Sequence, residues 1–431
     1  MTARAARRTI FALSSGAPPA GIAVVRISGP AAGAVLTDLA GGIPRPRRAA
    51  LRRLVDPADS MLLDHGIILW FPGPASATGE DLAELHLHGG RGVIDAVLAA
   101  LARDDRLVPA GPGEFTRRAF ENGRIDLAEA EGLADLLLAE TEFQRRAALA
   151  MADGALSRRI EQWRRELLDA SARVEAMLDF AEEDDVPDRD DEGQARALSL
   201  GREMSALAEA PAAERLRDGV RVAIAGPPNA GKSSLLNAIA GREAAITSPI
   251  AGTTRDVIEA PVAIGGIPFL LSDTAGLRTA DDEVERIGVE RARANIASAD
   301  VVLWLDDATP PSDGRIVAVH PRMDLPGRET VPAGRVGVSV LTGEGMQELL
   351  ERLVQYARKL LPAEGEIALN RRQRAAILEA AGALALAGQS ADPLIVGESL
   401  RLARTALDRV TGRAGVEDML DALFGRFCIG K

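Results

Sequence analysis

Cysteine is almost missing from this chain. Cys428 is the only one among 431 residues. That excludes an intrachain disulfide and a zinc site built on cysteine, and it fits a reducing cytosol. Aromatic residues are scarce as well, at 3%, while Ala, Leu and Arg abound, a composition that favours helices. No run approaches the roughly 18 apolar residues that a membrane span needs. The Arg-rich start "MTARAARRTIFALSSGAPPAG" has no acid before Asp38, yet its apolar stretch "IFAL" is too short for a signal-peptide core. The expectation is a cytoplasmic protein with no membrane contact. The formal net charge of −12 excludes polyanion binding by bulk electrostatics, so nucleic-acid contact requires a local basic patch.

What is present is enough apolar sequence, 47% of residues, for roughly two to four domains. Three textures follow one another. Residues 1–121 mix short β runs ("GIAVVRISG", "HGIILWFPG", "ELHLHGG") with turns and the helical "GVIDAVLAALAR". Residues 122–217 are helical almost throughout, broken by "EEDDVPDRDDE", which reads as a solvated loop. Residues 218–359 alternate β and α, the mark of a mostly parallel sheet with covering helices. Within them Gly265-Gly266 separates two strands as a hairpin requires. Residues 360–431 return to helix. The expected fold class is multidomain, α+β and α/β, with an α/β domain inserted into a helical one. The Arg-rich helical stretch "QRRAALAMADGALSRRIEQWRR" is interleaved with acids and reads as a solvated face. His86 and His88 share one face of a strand, and two ligands without a third read as ordinary packing or polarity beside a cofactor.

"GPPNAGKSS", Gly226 to Ser234, matches G-x-x-x-x-G-K-[ST] between an apolar strand and a helix. Its backbone N–H groups would close around phosphates, with Lys232 on the β/γ-phosphates and Ser233 on Mg²⁺. "SDTAG" ends a second strand: Asp273 faces the metal through water, and the Gly276 N–H can sense a γ-phosphate. "AGTTRD" supplies Thr253 and Thr254, either of which could complete the Mg²⁺ shell in a switch loop. Leu277 follows Gly276, so the water-orienting Gln of Ras-like enzymes is missing. Asp281, Asp282, Glu283, Glu285 and Glu290 are candidates that spacing does not separate. Asn229 either ligates a monovalent cation beside the phosphates, which would stabilise transition-state charge, or merely suits a tight turn. Where N-K-x-D is usual the chain has Pro321-Arg322-Met323-Asp324. Asp324 can still accept from guanine, while Pro321 offers no amide side chain and Arg322 replaces the Lys stem. "SVLTGEG" resembles the last base-contact loop, with Ser339 and Val340 in it. The stretch from "VVLWLDDA" to "RIVAV" leaves no room for a full helix.

Together "GIAVVRISGP", "GEDLAELHLHGG", "GPGEFTRRAFENGRIDLAEAEGLADL", the phosphate loop, "AGTTRD", "DTAGLR" with "EVERIGVER" and the terminal "FCIGK" make the whole chain resemble the MnmE (TrmE) family of tRNA-modification GTPases. The resemblance implies an N-terminal folate-binding domain that also dimerises, a helical domain and an inserted Ras-like P-loop GTPase domain. It implies a homodimer that joins an FAD-dependent MnmG-type protein in a heterotetramer. That complex modifies C5 of the wobble uridine of tRNA with 5-formyltetrahydrofolate or a related reduced folate as one-carbon donor. It carries K⁺ to Asn229, Ser248, Ile250 and Thr253, Mg²⁺ to Ser233 and Thr254, and the water-orienting role to Glu285. The GTP site so assembled is Asn229, Ala230, Gly231, Lys232, Ser233 and Ser234; Ser248, Pro249, Ile250, Ala251, Gly252, Thr253 and Thr254; Asp273, Thr274, Ala275 and Gly276; and Asp324, Ser339 and Val340. Folate falls to Arg26, Glu84, Arg124 (where Lys is common) and Lys431.

Two other classes compete: a regulatory GTP-binding protein of the ribosome-assembly kind, and a degenerate G domain serving as a dimerisation scaffold. Neither needs the folate-like N-terminal segment or the "FCIGK" tail. Cys428-Ile429-Gly430-Lys431 departs from the prenylation pattern at Gly430 and Lys431. The tail is expected to reach back to the folate pocket, with Gly430 permitting close approach and Cys428 either reacting or packing.

Overall fold

The computed structural model describes residues 8–179, 191–211, 213–245, 259–273, 293–363, 366–415 and 417–431. The chain forms two compact units, Met1–Ala134 with Thr411–Lys431, and Asp135–Val410.

In the first unit a six-stranded sheet is built from β1 (Thr9–Leu13), β2 (Ile22–Ser28), β3 (Ala50–Val55), β4 (Leu62–Phe71), β5 (Leu82–His88) and β6 (Leu107–Pro109), in the order β3-β4-β5-β2-β1-β6. All pairs are antiparallel except β1 with β6. Alternation decides which face is covered. Ala23, Val25 and Ile27 of β2, with Ala83, Leu85 and Leu87 of β5, are buried against α1 (Ala32–Ala40) and α2 (Arg91–Ala102). The intervening residues Val24, Arg26, Glu84 and His86 lie on the opposite face. Helix α1 stops at Gly41, whose left-handed conformation lets its N–H reach the Thr37 carbonyl. Helix α3 (Glu114–Glu121) and α4 (Leu127–Leu138) follow the sheet.

The tail was grouped with the second helical segment by its texture, but Thr411–Lys431 packs in the first unit. The cause is apolar: Leu420, Phe424 and Phe427 are buried with Leu127 and Ala130, with Phe120 packed alongside.

The second unit carries helices α5 (Glu142–Ala152), α6 (Ala155–Asp179), α7 (Asp191–Glu209) and α8 (Ala213–Asp218). Helix α5 starts in a complete capping box between Thr141 and Gln144. The acidic segment Glu182–Asp190 lies outside the described residues; Asp191 and Glu192 open α7, where a helix dipole favours acids. A seven-stranded sheet follows, made of β7 (Val220–Ala225), β8 (Ala244–Ala245), β9 (Glu259–Ile264), β10 (Ile267–Asp273), β11 (Val301–Trp304), β12 (Ile316–Pro321) and β13 (Val336–Val338). Its order is β13-β12-β11-β7-β10-β9-β8. The five strands from β13 to β10 run parallel, and β9 pairs antiparallel with β10.

The glycine pair forms the expected hairpin: Ile264 faces Ile267, and Gly265 and Gly266 have φ of 55° and 77°, as a two-residue turn of this hand demands. Helices α9 (Lys232–Arg242) and α10 (Met346–Leu360) bury Leu235, Leu236, Ile239, Leu349 and Leu353 with the sheet's Val222, Ile224 and Leu271. Each such buried side chain is worth about 1.5–3 kcal/mol. Helix α5 touches this layer directly: the Phe143 N–H reaches the Gly266 carbonyl at 3.4 Å, and Gln144 Nε2 donates to the Leu216 carbonyl at 3.1 Å. Helices α11 (Arg371–Gln389) and α12 (Pro393–Thr411) complete the chain before α13 (Glu417–Phe424).

Candidate functional site

Strand β7 ends at Ala225 and the loop Gly226–Gly231 turns the chain into α9. Gly231 stands at the helix N-cap with φ 97° and no side-chain cap. The first amides of α9 are therefore left for an anion, where the helix dipole adds to the attraction. Lys232 is 6% exposed, and its Nζ donates to the carbonyls of Gly226 and Pro227, each at 2.9 Å. Burial pulls this ammonium below lysine's usual range, and the Asp273 carboxylate opposes the pull. An ammonium held by carbonyls alone, beside open amides, is set to exchange them for phosphate oxygens.

Asp273 closes β10 next to β7, opposite Ile224. Its Oδ2 accepts from Ser233 Oγ at 2.5 Å, joining residues 40 apart in sequence, and Asp273 is 4% exposed. A hydroxyl and a carboxylate converging beside a buried ammonium are the hard oxygen donors that suit Mg²⁺. Among the proposed metal residues, Asn229 is exposed and left-handed at φ 62°. Ser248, Pro249, Ile250, Ala251, Gly252, Thr253, Thr254, Thr274, Ala275, Gly276 and Glu285 lie outside the described residues.

The loop after β12 meets the phosphate loop. Arg322, itself left-handed at φ 60°, donates through Nη2 to the Asn229 carbonyl. Two non-glycine residues in this uncommon conformation thus face each other and are tied by a charged hydrogen bond. Pro321 pairs with Val338, and Met323 N–H reaches the Val338 carbonyl at 3.3 Å. Asp324 is exposed. Ser339 is fully buried, its Oγ accepting from the Thr342 N–H at 3.1 Å. Val340 is 37% exposed.

No helix occurs in residues 305–315, as the short connection implied. Side chains hold it instead: Arg335 donates to the Ala308 carbonyl at 2.6 Å. Arg328 grips both oxygens of Asp307 at 2.8 and 3.0 Å and donates to the Pro321 carbonyl at 3.0 Å. His320 sits between the Asp307 carboxylate and the Arg328 carbonyl at 3.1 and 3.0 Å. Hydrogen bonding from Arg328 holds the Asp307 carboxyl below its ordinary range. The pair's contribution is therefore present above about pH 4 and is lost only as pH falls through that lowered value. The sequence signalled none of Arg322, Arg328 or Arg335 as structural ties, because each reaches a partner set by strand order rather than by spacing.

In the first unit Arg26 and Glu84 face each other across β2 and β5 and form an ion pair at 2.8 Å. Glu84 also meets His86 Nε2 at 3.3 Å, and His88 pairs with Asp64 at 2.8 Å. No cluster of three or more metal-ligating side chains occurs among the described residues. Arg124 is exposed, its stem beside Gly79, and Asn122 Nδ2 donates to the Thr78 carbonyl at 2.6 Å in that same loop. Arg118, 6% exposed, anchors α3 through Glu80 and Glu114, each at 2.9 Å.

The tail lies against the start of α3. Ile429 bridges Pro112, and the Phe115 N–H donates to the Lys431 carbonyl oxygen at 3.1 Å. Gly430 has φ 98°, and a Cβ there would stand 2.2 Å from the Leu13 carbonyl oxygen. Only glycine fits. Cys428 is exposed, so the thiol is open to solvent rather than packed.

Comparison with known proteins extends this geometry. A family model described as the MnmE helical domain matches residues 127–428, and one described as the GTP-binding protein TrmE N-terminus matches residues 9–124. A tRNA modification GTPase MnmE from Rhizorhabdus wittichii is 59% identical over 428 residues, covering 98% of this chain and 96% of its own. One of the same name from Novosphingobium aromaticivorans is 55% identical, covering 98% and 99%. Among solved structures, the G domain of the T. maritima FeoB iron transporter is 26% identical over 32% of this chain and 98% of its own, with a TM-score of 0.23.

Proposed function

The chain belongs to the MnmE family of tRNA modification GTPases, and on that premise we propose that its GTP hydrolysis is K⁺-activated and serves the C5 position of the wobble uridine. The observation that carries the nucleotide half of this reading is the convergence of Ser233, Asp273 and Lys232. Lys232 releases the Gly226 and Pro227 carbonyls to bind β/γ-phosphate oxygens, while the free amides of α9 and the loop hold the rest. Ser233, with Thr254, would hold Mg²⁺, which neutralises phosphate charge, and Asp273 orients that shell. Asn229, with Ser248, Ile250 and Thr253, would hold K⁺, whose charge serves where an arginine finger otherwise would. Glu285 orients the attacking water. Asp324 reads guanine, on a loop whose seat Arg322 and Arg328 fix.

The folate half rests on the paired Arg26 and Glu84. With Arg124 and Lys431 they would hold the reduced folate, which supplies the one-carbon unit. Cys428 is exposed on the docked tail and is given no step. We propose segments at residues 1–121, 122–217, 218–359 and 360–431, the last returning its Thr411–Lys431 end to the first unit, a cytoplasmic homodimer, and an FAD-dependent MnmG-type partner. The test is reconstitution of the full chain with that partner, reduced folate, GTP and unmodified tRNA, followed by nucleoside mass analysis. The expected result is a mass gain on the wobble uridine that requires GTP and folate. An unmodified uridine with all components present rejects the reading.

A further inference from the structure

The chain carries an excess of 12 negative charges, yet its early part is basic, and one exposed stretch concentrates that charge. Between Asp38 and Asp56 there is no acid, and Arg45, Arg47, Arg48, Arg52 and Arg53 fall within it. All five are exposed. They run into and along β3, which is an outer strand of its sheet.

Some exposed arginines of the same unit are neutralised. Arg106 pairs with Asp38 and Asp104, and Arg117 with Glu121 and Asp421. Arg45, Arg48, Arg52 and Arg53 have no carboxylate partner among the described residues. The nearby acids are already engaged: Asp56 holds Arg103, and Asp64 holds His88. Only Asp59, in the turn after β3, remains. Arg47 is the exception, since its guanidinium donates to the Ala75 carbonyl and lies 5.6 Å over the Phe71 ring. It pins the turn that presents the others.

Charge on an outer strand also blocks unwanted strand pairing. That accounts for Arg52 and Arg53. It does not account for Arg45 and Arg48, which precede the ladder. Four uncompensated guanidiniums on an otherwise acidic protein are the electrostatic footprint of a polyanion, and planar guanidinium forks match phosphate oxygens.

We propose that this arginine rim, Arg45, Arg48, Arg52 and Arg53, docks the phosphate backbone of RNA. The inference rests on the reading above that the chain acts on tRNA. Contacts of this kind set position and leave base selection to other surfaces, so the rim would hold the body of the tRNA.

The experiment measures tRNA affinity of the full chain across 50–200 mM KCl, a range that spans strong screening effects. Wild type is compared with the quadruple variants Arg45/48/52/53→Gln and →Lys, and with the loop pair Arg45→Glu/Arg48→Glu, which leaves β3 untouched. Each phosphate contact contributes about 0.7–0.9 to the log–log salt slope. The Gln variant should therefore be shallower by about 3 and at least tenfold weaker at the low-salt end. The Lys variant should keep the slope, the loop pair should be shallower by about 1.5, and GTP turnover should stay unchanged in all three.

A slope unchanged in the Gln variant, or no tRNA binding by wild type, overturns the rim. So does a loss of binding to anionic vesicles without a loss on tRNA. Wobble-uridine modification by wild type with an unchanged slope in the Gln variant removes the rim and leaves the functional reading standing; failure of modification in wild type strikes that reading instead.

Discussion

Single residues show where the chemistry is local and where it is borrowed from afar. The phosphate loop was legible because its glycines, Lys232 and Ser233 are contiguous and their roles follow from backbone geometry. The partnership of Ser233 with Asp273 was legible too, since a second strand beside β7 must end level with the loop. Arg322 was not. Read as a substitute for a lysine stem, it proves to hold the Asn229 carbonyl 93 residues away, a contact that no spacing encodes. Removing that charged bond should cost about 1.5 kcal/mol. Arg322→Ala is therefore expected to weaken GTP binding roughly tenfold, with Arg322→Lys recovering most of it, as read by fluorescent-nucleotide titration. Equal affinity in all three proteins would show that the tie is idle.

At the scale of elements, the sequence foretold the β9–β10 hairpin, the helix-free connection into β12 and the helical run before the phosphate loop. These follow from turn chemistry, length and periodicity. The resemblance implied that the tail reaches back, but not which residues it sits on. The terminal residues carry few signals of their own, and their seat is made by Leu13, Pro112 and Phe115, brought together only by the folded first unit. Gly430 is the hinge of that docking. Gly430→Ala forces a Cβ to within 2.2 Å of the Leu13 carbonyl at φ 98°, a strain of about 1–3 kcal/mol. The tail should lift, and hydrogen exchange at the Phe115 amide should accelerate by about tenfold or more. Unchanged protection at Phe115 would mean the tail is not held through Gly430. Arg26 and Glu84 were named only through the resemblance; that they face each other across β2 and β5 follows from the strand register, which the sequence does not state. How Arg124 and Lys431 would join them depends on loops whose course the sequence does not state.

For the whole molecule, the order of textures anticipated an α/β layer between helical segments. That the return begins as early as Thr411 was hidden because a helix pattern does not name its partner. Among the described residues no helix is long and apolar enough to cross a membrane. An acidic total with the basic rim proposed above would meet nucleic acid at a defined place. We propose that Asn229, left-handed and exposed beside open phosphate-binding amides, completes a K⁺ site that activates GTP hydrolysis. The direct measurement is GTP turnover by the full chain with Mg²⁺, in KCl and in NaCl at equal ionic strength. The account predicts turnover about a hundredfold or more faster in KCl, the scale of one removed transition-state charge contact. Equal rates in the two salts would contradict it.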